Sequence, residues 1–162
     1  DLMAAGARRF VFLNGHGGNS KALTNVQLDL ARKGCRCALL DWWKMCGDFK
    51  PEWAGGHGGG QETSANLYID PTMVDLDAVA DMGLVDDCGS ELPSVHFDTV
   101  EFHGVQVQVT RPTCDYAPNG WIGPDHPRNA SAEWGKEMLE AVAAWVAEFI
   151  EAFQRAPLPK GE

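Results

Sequence analysis

A short apolar run, Phe10-Val11-Phe12-Leu13, breaks directly into the glycine-rich loop Asn14-Gly15-His16-Gly17-Gly18-Asn19. A second apolar run, Cys35 to Leu40, follows one helix-length stretch later. Between the runs, Leu23, Val26 and Leu30 recur at helical spacing. Ser20 offers an N-cap, and Gly34 offers the residue just past the helix end. Strand, loop, helix and strand in that order make a βαβ unit, which requires a parallel sheet and a right-handed crossover. Both runs are read as buried strands. The expected fold class is α/β, a three-layer α/β/α arrangement with a mainly parallel sheet.

The rest of the chain is read around that unit. Leu2 to Ala7 is expected to be the tail of a helix, and Asp41-Trp42-Trp43 sits at the end of the second strand. Pro51 to Gly60 is a loop. Gln61 to Tyr68 can form a short helix, stopped by Asp70-Pro71. Asp75 to Pro93 is acidic and irregular. Val105 to Val109 alternates Val and Gln, the period of a half-exposed strand. Arg111 to Arg128 is a long loop. Trp134, Met138, Val142, Trp145, Phe149 and Phe153 then advance in steps of three and four, an apolar helix stripe expected to pack on the sheet. We expect residues 1–155 to form the C-terminal part of a single α/β domain and 156–162 to be a frayed tail.

Composition narrows the partners. The formal net charge of −10 argues against a phosphate backbone, which needs a basic surface. No run approaches the roughly 18 apolar residues of a membrane span. The five cysteines, Cys35, Cys37, Cys46, Cys88 and Cys114, match no zinc module and read as reduced thiols of a cytoplasmic protein, several buried in strands. The opening Asp1-Leu2-Met3-Ala4 has no basic region before an apolar one and does not start at methionine.

Two clusters can carry chemistry. His16 lies in a glycine loop directly after a strand, where ligands of parallel sheets bind and where glycines allow close backbone approach. The loop lacks the Rossmann and Walker fingerprints, which weakens a nucleotide-binding reading. The second cluster, His57-Gly58-Gly59-Gly60-Gln61-Glu62-Thr63-Ser64, sets a histidine five residues before a carboxylate at the mouth of a helix. Imidazole and carboxylate are the usual ligands of zinc, manganese or iron, and the usual proton-transfer groups. Taken alone, each cluster also reads as a loop histidine or an ordinary first-turn acid.

Together and in this order, the two clusters resemble the creatininase family of amidohydrolases. Its second signature, H-A-G-x-x-E-T-S, is matched by His57, Gly59, Glu62, Thr63 and Ser64, with Gly58 in place of the alanine. The stretch Asp70-Pro71-Thr72-Met73-Val74-Asp75-Leu76-Asp77 is similar to the family's sequence after that helix. Gly120-Trp121-Ile122-Gly123-Pro124 and Ala130-Ser131-Ala132-Glu133-Trp134-Gly135 resemble its segment before the last helix.

The resemblance implies a creatininase-like fold and a metal-dependent amidohydrolase. His16 would be a metal ligand, and Glu62 a second one, on the other metal where two divalent ions (Zn, Mn or Fe) are bound. His57 would carry the proton to the leaving nitrogen. Trp53 and Trp43 (or Trp42) would line the substrate with Gly17, Gly18 and Asn19. His16, His57 and Glu62 are expected to converge on one cleft. The implied partners are a small-molecule substrate and further copies of the chain, with no nucleic acid and no membrane.

Two departures qualify this. Creatininase proper resembles G-H-Y-E-N in the first loop, where this chain has Gly17 and Gly18, so creatinine is not the expected substrate. The family's remaining ligands come from a segment resembling E-x-H-G-x-H-L-P-x-x-T-D, which does not occur here, and a partial chain is expected. The alternatives are a catalytically incomplete relative of the same fold, or a hydrolase opening a cyclic keto compound.

Overall fold

The computed structural model describes residues 1–81 and 83–161. They divide into two compact units: Asp1–Ala54 with the chain from Met138 onward, and Gly55–Glu137. Among the described residues two strands pair in parallel and three antiparallel, so the class is α/β. None of the described helices is long and apolar enough to cross a membrane.

In the first unit, β1 (Arg9–Asn14) and β2 (Arg36–Asp41) pair in parallel, with Arg9 opposite Arg36 and Asn14 opposite Asp41. Helix α1 (Ser20–Arg32) makes the connection. Its end is the one the sequence predicts. Gly34 has φ +75°, its N–H donates to Ala31 O at 2.9 Å, and the Cys35 N–H donates to Leu30 O at 3.0 Å, a Schellman pair. Its start differs. Ser20 is the first helical residue and the cap position is Asn19, which makes no capping side-chain bond.

The strands are less buried than expected. Only Asn14 and Leu40 are buried, and Leu13 is 57% exposed. Two strands make two edges and no interior strand, so neither reaches the burial of a central parallel strand. On α1, Leu23 and Leu30 are half-buried while Val26 faces solvent. Residues 2–6 form turns instead of a helix end.

Helix α2 (Trp42–Phe49), which the sequence did not announce, starts without a loop after β2 and buries Met45 and Cys46. Cys46 therefore sits in a helix and not in a strand, and burial pushes its thiol up to about 11. A 3-10 turn, Pro51–Trp53, follows. From Met138 onward the last helix runs with Met138 and Val142 buried. The rings of Trp145, Phe149 and Phe153 stack at centroid separations of 5.0 and 5.3 Å, and Phe49 meets Trp145 at 6.3 Å. Beyond the helix, Ala156 O accepts from Arg9 and Pro157 O from Arg36, while Glu162 lies outside the described residues.

In the second unit, α3 (Gly60–Ile69) is one residue longer at each end than predicted. Residues 75–93 hold no helix or strand among those described, and Met82 lies outside them. The sheet is antiparallel: β3 (Ser94–His96), β4 (Thr99–Phe102) and β5 (Val105–Gln108) in sequence order. Only β5 was expected, and all four of its residues are exposed, not half of them, because it is an edge strand. A four-residue helix, α4 (Thr113–Tyr116), interrupts the long loop.

The Arg111 guanidinium orders the acidic stretch. It pairs with Asp87, donates to Ser94 Oγ at 2.7 Å and lies 4.6 Å over the Tyr116 ring. The last helix, α5 (Ala132–Phe153), opens in this unit two residues before Trp134. Its first turn meets α3 so closely that a Cβ at Gly135 would lie 1.9 Å from Ser64 O. The obstacle is backbone, which cannot rotate away. Gly135→Ala is therefore expected to destabilise the protein by about 1–3 kcal/mol, read from a urea midpoint. An unchanged midpoint would mean that α3 and the start of α5 are not in contact.

Candidate functional site

The glycine loop hangs on Asn14, which is 3% exposed. Its Nδ2 donates to Asp41 Oδ1 at 2.8 Å and to Ser20 Oγ at 3.1 Å. Its Oδ1 accepts from the His16 N–H at 3.2 Å and from Asn19 Nδ2 at 3.3 Å. Both donors and both acceptor positions of the amide are thus used. Ser20 Oγ also donates to Asp41 Oδ1; Ser20 is itself helical, so its hydroxyl ties the start of α1 to β2 and is not placed to cap the helix. Asn14 and Asp41 close the carboxyl ends of the two strands, a role sequence reasoning missed because their hydrogen bond joins positions 27 residues apart.

Asp41 also pairs with Lys44 at 2.7 Å. Burial pushes its carboxyl up, but the hydrogen bonds from Lys44, Asn14 and Ser20 and the Lys44 charge outweigh that and hold it below its ordinary value. A carboxyl lowered by folding adds stability above its unfolded pKa of about 3.9 and loses it as pH falls through the lower folded value. The urea-midpoint gap between the native protein and Asp41→Asn is accordingly expected to be full above pH about 5 and to shrink below about 4. A gap that widens in acid would reverse the assignment.

His16 is exposed, and its Nδ1 accepts from the Gly18 N–H at 3.1 Å, capping the 3-10 turn Gly17–Asn19. A Cβ at Gly17 would lie 3.7 Å from Cζ2 of Trp43, and Trp42 Nε1 donates to Gly15 O at 3.3 Å. His16, Gly17, Gly18, Asn19 and Trp43 are therefore together at the carboxyl ends of β1 and β2. Trp53, in the same unit, is 7% exposed with Lys50 Nζ 4.1 Å over its ring.

The second unit builds the other cluster. His57 and Ile122 exchange two backbone hydrogen bonds, at 2.7 and 2.8 Å, and Phe97 stands edge-on to the half-buried imidazole at 5.9 Å. The Gly58 N–H donates to Glu62 Oε2 at 2.6 Å. Gly58 has φ +61°, and a Cβ there would lie 2.5 Å from Gly120 O, so only glycine brings that N–H to the carboxylate. The start of α3 adds favourable potential for the charge on Glu62.

Asp125, which sequence reasoning also missed, clamps the same segment. Its carboxylate accepts from the N–H of Gly56 and of Gln61, at 2.9 and 2.7 Å, and its carbonyl accepts from Gly60. A lone carboxylate in a glycine- and proline-rich loop carries no periodic signal. A cleft of about 390 Å³ opens beside this clamp, walled by Gly58, Thr63, Asn66, Asp75, Asn119 and Trp121 among others.

The donor types at His16 and Glu62 fit a divalent metal. Among the described residues there is no group of three or more His, Cys, Asp or Glu that could hold one.

The family model described as creatininase, creatinine amidohydrolase, matches residues 1–150. A mycofactocin precursor peptide peptidase of Mycobacterium ulcerans (strain Agy99) is 39% identical over 79 residues, 48% of this chain and 28% of that protein. A creatinine amidohydrolase of Pseudomonas putida is 36% identical over 99 residues, 50% of this chain and 38% of that protein. The matches thus span well under half the length of either relative. A crystal structure from Bacteroides fragilis NCTC 9343, provisionally assigned as a creatinine amidohydrolase, is similar in fold with a TM-score of 0.63 at 20% identity. That match takes in 96% of this chain and 57% of the other. With a family model matching it from residue 1 to residue 150, the chain belongs to the creatininase family.

Proposed function

We propose that the whole protein is a metal-dependent hydrolase that breaks a carbon–nitrogen bond of amide type, cyclic or linear, in a small molecule. The observation that carries this reading is the Gly58 N–H holding the Glu62 carboxylate at 2.6 Å, one residue from a His57 whose backbone is pinned to Ile122. A fixed carboxylate and a fixed imidazole in one segment are what metal-assisted hydrolysis uses. An amidohydrolase and a peptide peptidase among the relatives share amide cleavage, and that shared chemistry is what we carry over.

In this reading His16 and Glu62 are metal ligands, for Zn, Mn or Fe, with two ions in the complete site. When bound, such an ion acidifies water and polarises a carbonyl oxygen. His57 delivers a proton to the leaving nitrogen, which departs poorly as an anion near neutral pH. Gly17, Gly18 and Asn19 offer backbone and amide donors to the substrate, and Trp43 and Trp53 supply flat apolar walls. The β1–β2 pair belongs to a wider, mainly parallel sheet in a three-layer, cytoplasmic, homo-oligomeric protein. Exposed large apolar residues such as Leu13, Ile69 and Met73 support further covering surface.

A catalytic zinc usually takes about three protein ligands, and this chain offers two. We assign the rest to residues outside these 162. The second reading, a catalytically incomplete relative, is favoured by the lack of a three-ligand group among the described residues. Metal analysis separates the two. A longer gene product is expected to retain up to about two ions per chain and the 162-residue chain much less. Full metal and turnover in the short chain would show that the ligands are wrongly assigned. Neither metal nor turnover in the longer one would favour the incomplete relative.

A further inference from the structure

We propose that the cleft of about 390 Å³ beside α3 binds an organic cation, an amidinium or ammonium group carried on a flat apolar body. The inference goes beyond the hydrolase reading and needs no metal. All the walls of the cleft belong to the second unit. Thr63 and Asn66 of α3 form one wall, residues 73–80 another, and Asn119 to Trp121 a third. The wall at 79–80 is tied down. Arg128 donates to Val79 O at 2.5 Å, Trp121 Nε1 to Ala80 O at 2.8 Å, and Asn119 Nδ2 to Asp81 O at 2.5 Å. Three successive carbonyls are thus held, and the side-chain donors of the 119–128 loop are turned onto them.

What the walls leave uncommitted is mostly acceptor. Asp75 Oδ1 accepts from the N–H of Asp77 at 3.0 Å and of Ala78 at 3.3 Å, and Asp75 Oδ2 takes no hydrogen bond among the described residues. The same holds for the Thr63 hydroxyl and for the side-chain oxygens of Asn66 and Asn119. Asp75 is the one charged side chain on the walls among the described residues. The surrounding charge has the same sign. Gly55–Glu137 hold three Lys or Arg against fourteen Asp or Glu, a formal net of −11, so this unit accounts for the whole −10 of the chain. An anion would meet that field with no cation on the walls, and a neutral amide would gain hydrogen bonds alone. A donor-rich cation gains both hydrogen bonds and the field. Val74, Val79, Trp121 and Pro127 supply apolar surface for the rest of the ligand.

Benzamidinium, benzamide and benzoate have nearly one shape and differ in charge. Titrated into the ¹⁵N-labelled 162-residue chain, benzamidinium is expected to shift the side-chain amides of Asn66 and Asn119 and the Trp121 indole N–H at millimolar concentration. Benzamide should bind about 5- to 10-fold more weakly, the worth of one charge near a carboxylate in water, and benzoate should leave these signals in place. In Asp75→Asn, whose side-chain oxygen can still accept from residues 77 and 78, the preference for benzamidinium over benzamide should fall below about 2-fold. About 1 M salt should shrink it in the native chain too, which needs no variant. Equal binding of the three probes, tighter binding of benzoate, or no shift at these residues at tens of millimolar would overturn the proposal. A preference that survives both Asp75→Asn and high salt would overturn it as well.

Discussion

His57→Ala in the whole protein is expected to lower kcat for amide cleavage by about 10²- to 10⁴-fold, with KM little changed. The variant isolates the ring. The two hydrogen bonds to Ile122 come from the backbone of His57, and Gly58 still reaches Glu62. The imidazole disappears, and with it the edge contact to Phe97 among its interactions. If the ring delivers a proton to the leaving nitrogen, the loss depends on the leaving group. A substrate whose leaving group departs readily as an anion should recover most of the rate. An equal loss on both substrates would mean that His57 acts on the carbonyl side or only supports the fold.

Glu62→Gln is expected to weaken metal retention by more than about 100-fold, since even outer partners of metal ligands cost about 10- to 100-fold. The substitution changes charge and almost nothing else. A glutamine oxygen can still accept from the Gly58 N–H, so the segment should keep its shape and its urea midpoint. An amide is neutral and its remaining atom is a donor, so it cannot replace a carboxylate on a divalent ion. Dialysis against a chelator followed by metal analysis reads the effect. Normal retention by the variant would remove Glu62 from the ligand set and leave it as a helix-mouth acid.

The parts of the fold legible in the sequence are those where several local signals agree. An apolar run, helical spacing and Gly34 all point to β1, α1 and β2, and the elements fall within a residue of that reading. Helix α2 was missed because it starts at Trp42 with no loop after the strand and is only eight residues long. Strands β3 and β4 were missed because three and four residues, broken by an irregular register between Ser94 and His96, show no period. The candidate histidines and Glu62 stood out by residue type. Their supports, Asn14, Asp41 and Asp125, act through tertiary hydrogen bonds over distances in sequence that no local pattern records.

Asn14 precedes Gly15, the sequence in which an asparagine side chain most readily closes on the next backbone nitrogen and loses ammonia. That closure needs the amide to rotate and to shed its nitrogen. Here the nitrogen is held by Asp41 and Ser20 and the oxygen by His16 and Asn19. The folded loop therefore protects its own weakest bond, and ageing at this site proceeds only through molecules in which the loop has opened. Each conversion would set a new carboxylate against that of Asp41, so the lesion would also prevent the loop from closing again. Storage life thus becomes a slow clock for loop opening, and anything that tightens the knot around Asn14 lengthens it.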